Sequence, residues 1–213
     1  MTDVIYKQLR HDISQGVYQP GLIHLKPLSE RFNVSIIPVR EALRRLEAEG
    51  LVSFDGKRRI LINALNEKEL DELFLIRAEL ESLALKTAVP HLSNDRAKLA
   101  ELDDLIALMD SQEADSGAWR NTNRDFHSLI YAAADMPRLE SLVGSLWVAS
   151  EPYLRIYVTA VDSLRSAQQQ HREILRRVRL GDAEHAEVIL REHLSGTWDV
   201  VQRQIRAERR ATS

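Results

Sequence analysis

The sequence predicts a mainly α protein: an N-terminal winged helix-turn-helix, residues 1–64, followed by an all-α helical bundle of six helices, residues 65–213. Two observations carry this expectation. Strand signals are confined to LVSFDGKRRILI at 51–62, where an Asp-Gly turn separates two short apolar runs. From residue 66 onward those signals vanish, and helical periodicity punctuated by Pro and Gly runs to the C-terminus. Charge divides the chain in the same region. Residues 1–62 hold ten Lys and Arg against seven acids, whereas the remainder holds 19 against 25, for a net charge of −3. A modestly basic head on an acidic body is the pattern of a nucleic-acid-binding segment joined to a partner with another task.

Each element follows from local chemistry. Val4, Ile5, Leu9 and Ile13 predict a helix over 3–15, ended by the Gly and Pro of GVYQPG at 16–21. A short helix fits 27–32. The next, 36–49, has Ser35 as a natural N-cap and Pro38 in its first turn, where a missing N–H is tolerated. Val39, Leu43 and Leu46 repeat at i, i+4 and i+7 and face inward, while Arg40 and Arg44 share another face. Gly50 stops this helix ahead of the hairpin. In the body, helices are expected at about 66–88, 93–112, 118–134, 137–158, 162–180 and 182–208. Pro90, Ser116-Gly117, Asp135-Met136-Pro137, a loop near 160 and Gly181-Asp182 separate them.

Composition narrows the chemistry. The 213 residues contain no cysteine, which removes disulfides and thiolate metal sites and leaves His, carboxylate, amide or water as possible ligands. No run approaches the ~20 apolar residues of a membrane span, and MTDVIYKQLR lacks the plan of a signal peptide. A cytoplasmic protein with no membrane partner is the expectation. Asn123 and His127 are four apart on one helix face, and His171 and His193 lie on two later helices. On spacing alone, each histidine is more commonly a hydrogen-bonded core or surface residue than a ligand. Arg40 and Arg44 have an equally plain reading as solvated partners of Glu41, Glu47 or Glu49.

The string LKPLSERFNVSIIPVREALRRLEAEGLV resembles the helix-turn-helix of GntR-type transcriptional regulators. LFLIRAELESLAL at 73–85, NRDFHSLIYAAADMPRL at 123–139, QQHREIL at 169–175 and GDAEHAEVILREHL at 181–194 resemble, in order, the all-helical FCD effector domain of the FadR subfamily. Six helices after the wing match its VanR-like branch. The resemblance implies DNA contacts by Lys26, Ser35 and Arg40, with the wing residues Gly56, Lys57, Arg58 and Arg59 along the neighbouring minor groove. Arg44, one turn beyond Arg40, is added from its position. Where the family usually places a DNA-contacting arginine, this chain has Ile36, and its wing carries Lys57, Arg58 and Arg59 in place of the usual Arg-Gly pair.

The resemblance also implies that Asn123, His127, His171 and His193 bind a divalent metal, with Zn²⁺, Ni²⁺, Mn²⁺ and Fe²⁺ all compatible with three imidazoles and one oxygen. His11, His24, His91 and His185 fall outside that motif. Arg77 stands where the family generally has arginine, able to clamp an effector carboxylate or to pair with Glu81. Trp147, Tyr153 and Tyr157 are expected in the core or a pocket wall. An amide oxygen at Asn123 leaves the cation's charge uncompensated, so a small organic acid is the expected effector.

The resulting expectation is a ligand-responsive repressor, a homodimer reading an inverted repeat in double-stranded DNA, because one helix reads too few bases to be selective. Two alternatives are a metal-dependent hydrolase with a DNA-binding head and a metal-structured regulator without a small-molecule effector. No HExxH, GxSxG or P-loop pattern supports the hydrolase.

Overall fold

The computed structural model describes residues 1–14, 16–18, 20–56, 59–63, 67–112, 115–161 and 164–211. The chain divides into two compact units, 1–66 and 67–213.

The first unit runs α1 (Thr2–Ser14), β1 (Gly21–Ile23), α2 (Leu25–Phe32), α3 (Ile36–Ala48), β2 (Val52–Asp55) and β3 (Arg59–Ile62). The expected inward stripe of α3 is buried: Val39, Leu43 and Leu46 are inaccessible to solvent, as is Ala42. They pack with Ile5 and Leu9 of α1, Leu28 of α2 and Ile60 of β3 into one core. Between α2 and α3, Asn33 adopts a left-handed conformation with φ 51° and ψ 51°. Its N–H donates to the Glu30 carbonyl at 3.1 Å, and the Val34 N–H donates to the Ser29 carbonyl at 3.0 Å. This paired closure satisfies the last carbonyls of α2 and turns the chain into α3.

The hairpin predicted at 51–62 forms as β2 and β3, with Phe54 opposite Ile60 and Asp55 opposite Arg59. The sheet has a third strand that the sequence reading lacks. β1 pairs antiparallel with β3, Leu22 opposite Leu61, giving the order β1-β3-β2. Three residues are too few to show alternation. This strand exists because β3 has a free edge to pair, a tertiary cause rather than a local one.

The second unit contains α4 (Glu67–Leu92), α5 (Arg96–Ser111), α6 (Ser116–Ala132), α7 (Pro137–Ala160), α8 (Arg165–Arg179) and α9 (Ala183–Ala211). α4 packs on α9, α7, α6 and α8, so its residues face the bundle interior on several sides. The predicted break at Pro90 does not occur there, since α4 continues to Leu92. Pro90 is itself exposed, while Val89 and Leu92 are fully buried. Their burial outweighs the single backbone hydrogen bond that proline removes close to the helix end. None of the described helices is long and apolar enough to cross a membrane.

The turn at Asn33 gives a stability test. A β-branched side chain there meets the steric penalty of the left-handed region, so Asn33→Val should lower unfolding free energy by about 1–2 kcal/mol. Asn33→Gly should stay close to wild type. Urea denaturation of the two variants measures the difference.

Candidate metal centre and DNA-reading head

Three helices of the second unit converge on one buried cluster. Asn123 and His127 lie on α6, His171 on α8 and His193 on α9, with 3%, 1%, 0% and 7% of their surface accessible. One ligand-capable atom from each histidine lies within 4.8 Å of the others. Ring centroids are 5.2 Å apart for His127 and His171, 5.4 Å for His127 and His193, and 4.7 Å for His171 and His193. The convergence that sequence spacing left open is therefore present in three dimensions.

The free atoms of the cluster suit a cation. Asn123 Oδ1, His127 Nε2 and His171 Nε2 are buried without a hydrogen-bond partner among the described residues. Buried polar atoms are normally paired, and two orphaned imidazole nitrogens in one histidine cluster, with the Asn123 amide one turn before His127 on the same helix face, call for a shared partner. Their outer nitrogens are occupied instead. His127 Nδ1 lies 3.2 Å from Tyr131 Oη, His171 Nδ1 2.8 Å from Gln168 Oε1, and His193 Nδ1 3.0 Å from Gln170 Oε1.

All three imidazoles are held neutral, the form that ligates metal. Burial, helped by His193 and Arg77, pushes His127 well below the ordinary value of 6.5. Burial, with His193, His127 and Arg172, does the same to His171. Burial and Arg77 bring His193 down to about 4.

Arg77 of α4 adjoins this cluster. Its Nε donates to Glu81 Oε1 at 2.6 Å, and both residues are almost fully buried. Glu81 Oε2 in turn accepts from Tyr131 Oη at 2.6 Å, linking the ion pair to His127. Burial and Glu81 push the Tyr131 phenol well above its ordinary value, so it remains a donor. The guanidinium stacks 4.4 Å over Trp147, and its Nη1 is left without a partner. The pairing with Glu81 expected from sequence is thus formed while one donor stays free. Trp147, Tyr153 and Tyr157 are buried, as expected of core or pocket wall.

Sequence reasoning missed the outer partners Tyr131, Gln168 and Gln170. Two were detectable, because Tyr131 is four residues after His127 and Gln168 three before His171, spacings that share a helix face. The contact of Gln170 with His193 crosses between helices and carried no local signal.

In the first unit, α3 presents Ser35, Ile36, Ile37 and Arg40 to solvent. Ser35 sits at the N-cap but makes no capping hydrogen bond through its hydroxyl. Arg40 makes no ion pair among the described residues. Arg44 is engaged, donating to Glu47 at 2.8 Å and lying 4.2 Å over the Phe54 ring. Lys26 is within 4.0 Å of Glu30, and Arg59 within 3.7 Å of Asp55, both highly exposed pairs of little strength. Gly56 has φ 72°, a conformation suited to glycine at the hairpin turn. Lys57 and Arg58 lie outside the described residues.

Comparison with known proteins places both units. Residues 1–62 match the model described as bacterial regulatory proteins, gntR family, and residues 72–196 match that of the FCD domain. The chain is 33% identical over 189 residues to the HTH-type transcriptional regulator McbR of Escherichia coli, covering 86% of this chain and 85% of McbR. A solved structure of E. coli McbR superposes with a TM-score of 0.80 at 29% identity, over 96% of this chain and 98% of that one. The HTH-type transcriptional repressor GlaR of E. coli is 26% identical over 92% of this chain and 94% of its own. A Zn²⁺-bound FCD domain of a transcriptional regulator shares the fold, with a TM-score of 0.54 and 20% identity, over 67% of this chain and 98% of that one.

The depressed histidines set a pH dependence for the metal-free protein. Unfolded imidazoles protonate near 6.5, while the folded ones resist it, so the unfolded state binds more protons below that pH. Stability should be fully present above 6.5 and be lost as pH falls toward about 4, the value for His193. Urea midpoints measured from pH 7.5 to 4.5 should show this decline, and His127→Gln with His171→Gln should flatten it.

Proposed function

Because the chain belongs to the gntR family of bacterial regulatory proteins and carries an FCD domain, it is a ligand-responsive DNA-binding regulator rather than an enzyme, and we propose that it is a metal-containing repressor. In this reading, residues 1–64 form the DNA-binding head and residues 65–213 the effector-binding and dimerisation domain. A homodimer in the cytoplasm reads an inverted repeat. Lys26, Ser35, Arg40 and Arg44, with the wing residues Gly56, Lys57, Arg58 and Arg59, form the contact set. Arg40 is the strongest member, since it is exposed and uncommitted. Phosphate contacts by such residues supply most of the affinity, and arginine to guanine supplies selectivity.

Asn123, His127, His171 and His193 would hold one divalent cation, Zn²⁺, Ni²⁺, Mn²⁺ or Fe²⁺. The observation that carries this is the group of three mutually close, buried imidazoles, with His127 Nε2 and His171 Nε2 unpartnered and the orphaned Asn123 amide oxygen one turn before His127 on the same helix. A Zn²⁺-bound FCD domain of the same fold supports it. When bound, the cation would supply an electrophilic anchor for a carboxylate. The protein's four ligands are all neutral, so an anion is the natural further partner. Arg77 Nη1, buried and unpaired, offers a second charge-assisted donor to a small organic acid. The acid's preference for one conformation of the domain would then lower operator affinity.

The DNA and metal parts of the reading are tested separately. Arg40→Ala should weaken operator binding by about 1–3 kcal/mol with helical content unchanged, and equal affinity would remove Arg40 from the contact set. Protein purified without a His tag or chelator should contain or take up a divalent metal, detected by elemental analysis. Asn123→Asp should tighten that metal and weaken organic acids, because the added carboxylate competes for the cation's charge. His171→Ala with His193→Ala should abolish both. Metal that stabilises the fold while operator affinity ignores every acid would identify a structural metal instead.

A further inference from the structure

His171, a candidate metal ligand, is joined through the Gln168 amide to helix α5. Gln168, one turn earlier on α8, donates from Nε2 to Asp110 Oδ1 at 2.8 Å and lies 3.3 Å from the Ile106 carbonyl. Both partners are on α5, and both only accept. Asp110 is ion-paired with Arg172. Burial raises the Asp110 carboxyl, but hydrogen bonds from Gln168 and Arg172 prevail and hold it below its usual range. The nitrogen end of the Gln168 amide is therefore committed to α5. Its oxygen, which cannot donate, faces His171 Nδ1 at 2.8 Å. The proton must then reside on Nδ1, and the lone pair on Nε2, the atom left unpartnered in the cluster.

We infer that Gln168 and Asp110 are positioning residues for the metal centre, fixing His171 in the tautomer and ring orientation that present Nε2 to the cation. Asp110 and Gln168 also line an open cleft of about 390 Å³ with Trp119, Leu164, Arg165 and Arg172. The lock is thus set from the solvent side of the bundle. Its consequence for affinity rests on the metal reading above, whereas the tautomer does not.

Long-range ¹H–¹⁵N correlation of histidine-labelled, metal-free protein reads the tautomer directly. Wild type should show His171 with its proton on Nδ1 alone. Gln168→Leu should mix the tautomers and weaken Zn²⁺, measured against a competing chelator, by about 10–100-fold. Asp110→Asn, which lets the amide turn over, should do the same to a smaller extent and serves if Gln168→Leu fails to fold. Variants that lower the melting temperature while leaving tautomer and Zn²⁺ affinity unchanged would overturn the inference. Wild type that takes up no metal would sink the metal reading, and the tautomer would still decide the lock.

A second observation lies at the start of α3. Ile36 and Ile37 are adjacent, 44% and 69% exposed, and Ile36 is one turn from Arg40. Scattered exposed isoleucines need no explanation, but two together on the first turn of a recognition helix occupy the segment that meets base edges. The apolar group available to them in the major groove is the thymine 5-methyl. We propose that Ile36 and Ile37 read thymine methyls beside the position read by Arg40. This rests on the DNA reading, and the test separates the two. Binding sites selected from a random duplex library should contain thymine there. Replacing each such thymine by deoxyuridine should cost wild type about fourfold in affinity, the worth of one methyl. The same replacement should cost Ile36→Ala with Ile37→Ala little. Equal affinity of wild type for both duplexes would overturn the proposal, and a library that yields no enriched sequence would instead refute the DNA reading.

Discussion

The Arg77–Glu81 ion pair is the constraint around which the interior of the bundle is arranged. Removing two charges from water is expensive, and their mutual attraction offsets that only when the remaining donors and acceptors are satisfied. Here Glu81 uses its second oxygen on Tyr131, and Arg77 lays its face on Trp147. The same guanidinium helps keep His127 and His193 neutral. One ion pair on α4 thus adds to the burial that keeps histidines on α6 and α9 neutral, and through Tyr131 it orients one of them. The incomplete part is Arg77 Nη1, which leaves a buried positive donor beside a group of neutral imidazoles.

The two units solve opposite physical problems. In the first, the described residues share one apolar core, and Lys26, Arg40 and Arg59, proposed to meet DNA, are exposed, Lys26 and Arg59 in weak ion pairs. Exposed ion pairs are weak, so Lys26 and Arg59 can exchange a carboxylate for a phosphate at small cost. In the second, the candidate ligands are buried and their orientation is fixed by neighbours.

Much of this was legible in sequence where the cause was local. Val39, Leu43 and Leu46 define the buried stripe of α3 by spacing alone, and the Asp-Gly turn marks the hairpin. The i, i+4 relation of Asn123 and His127 placed two candidate ligands on one face. Spacing did not show that His171 and His193 converge with them, because that depends on how α8 and α9 pack. There the family resemblance supplied what periodicity could not. β1 was missed because its pairing is decided by β3. The end of α4 was misplaced because the burial of Val89 and Leu92 overrides the local effect of Pro90. Gln168 looked like an ordinary polar residue, since its role depends on Asp110, some 58 positions away.

The exposed isoleucines at the start of α3 also bear on the thermodynamics of association. An arginine in place of Ile36 would displace condensed counterions from the duplex, and binding driven that way weakens steeply with salt. Removing isoleucine surface from water releases no ions and carries a negative heat-capacity change. Operator recognition by this head should therefore be less sensitive to ionic strength than that of an arginine-bearing relative. Relative to such a protein, its binding should also respond more to temperature.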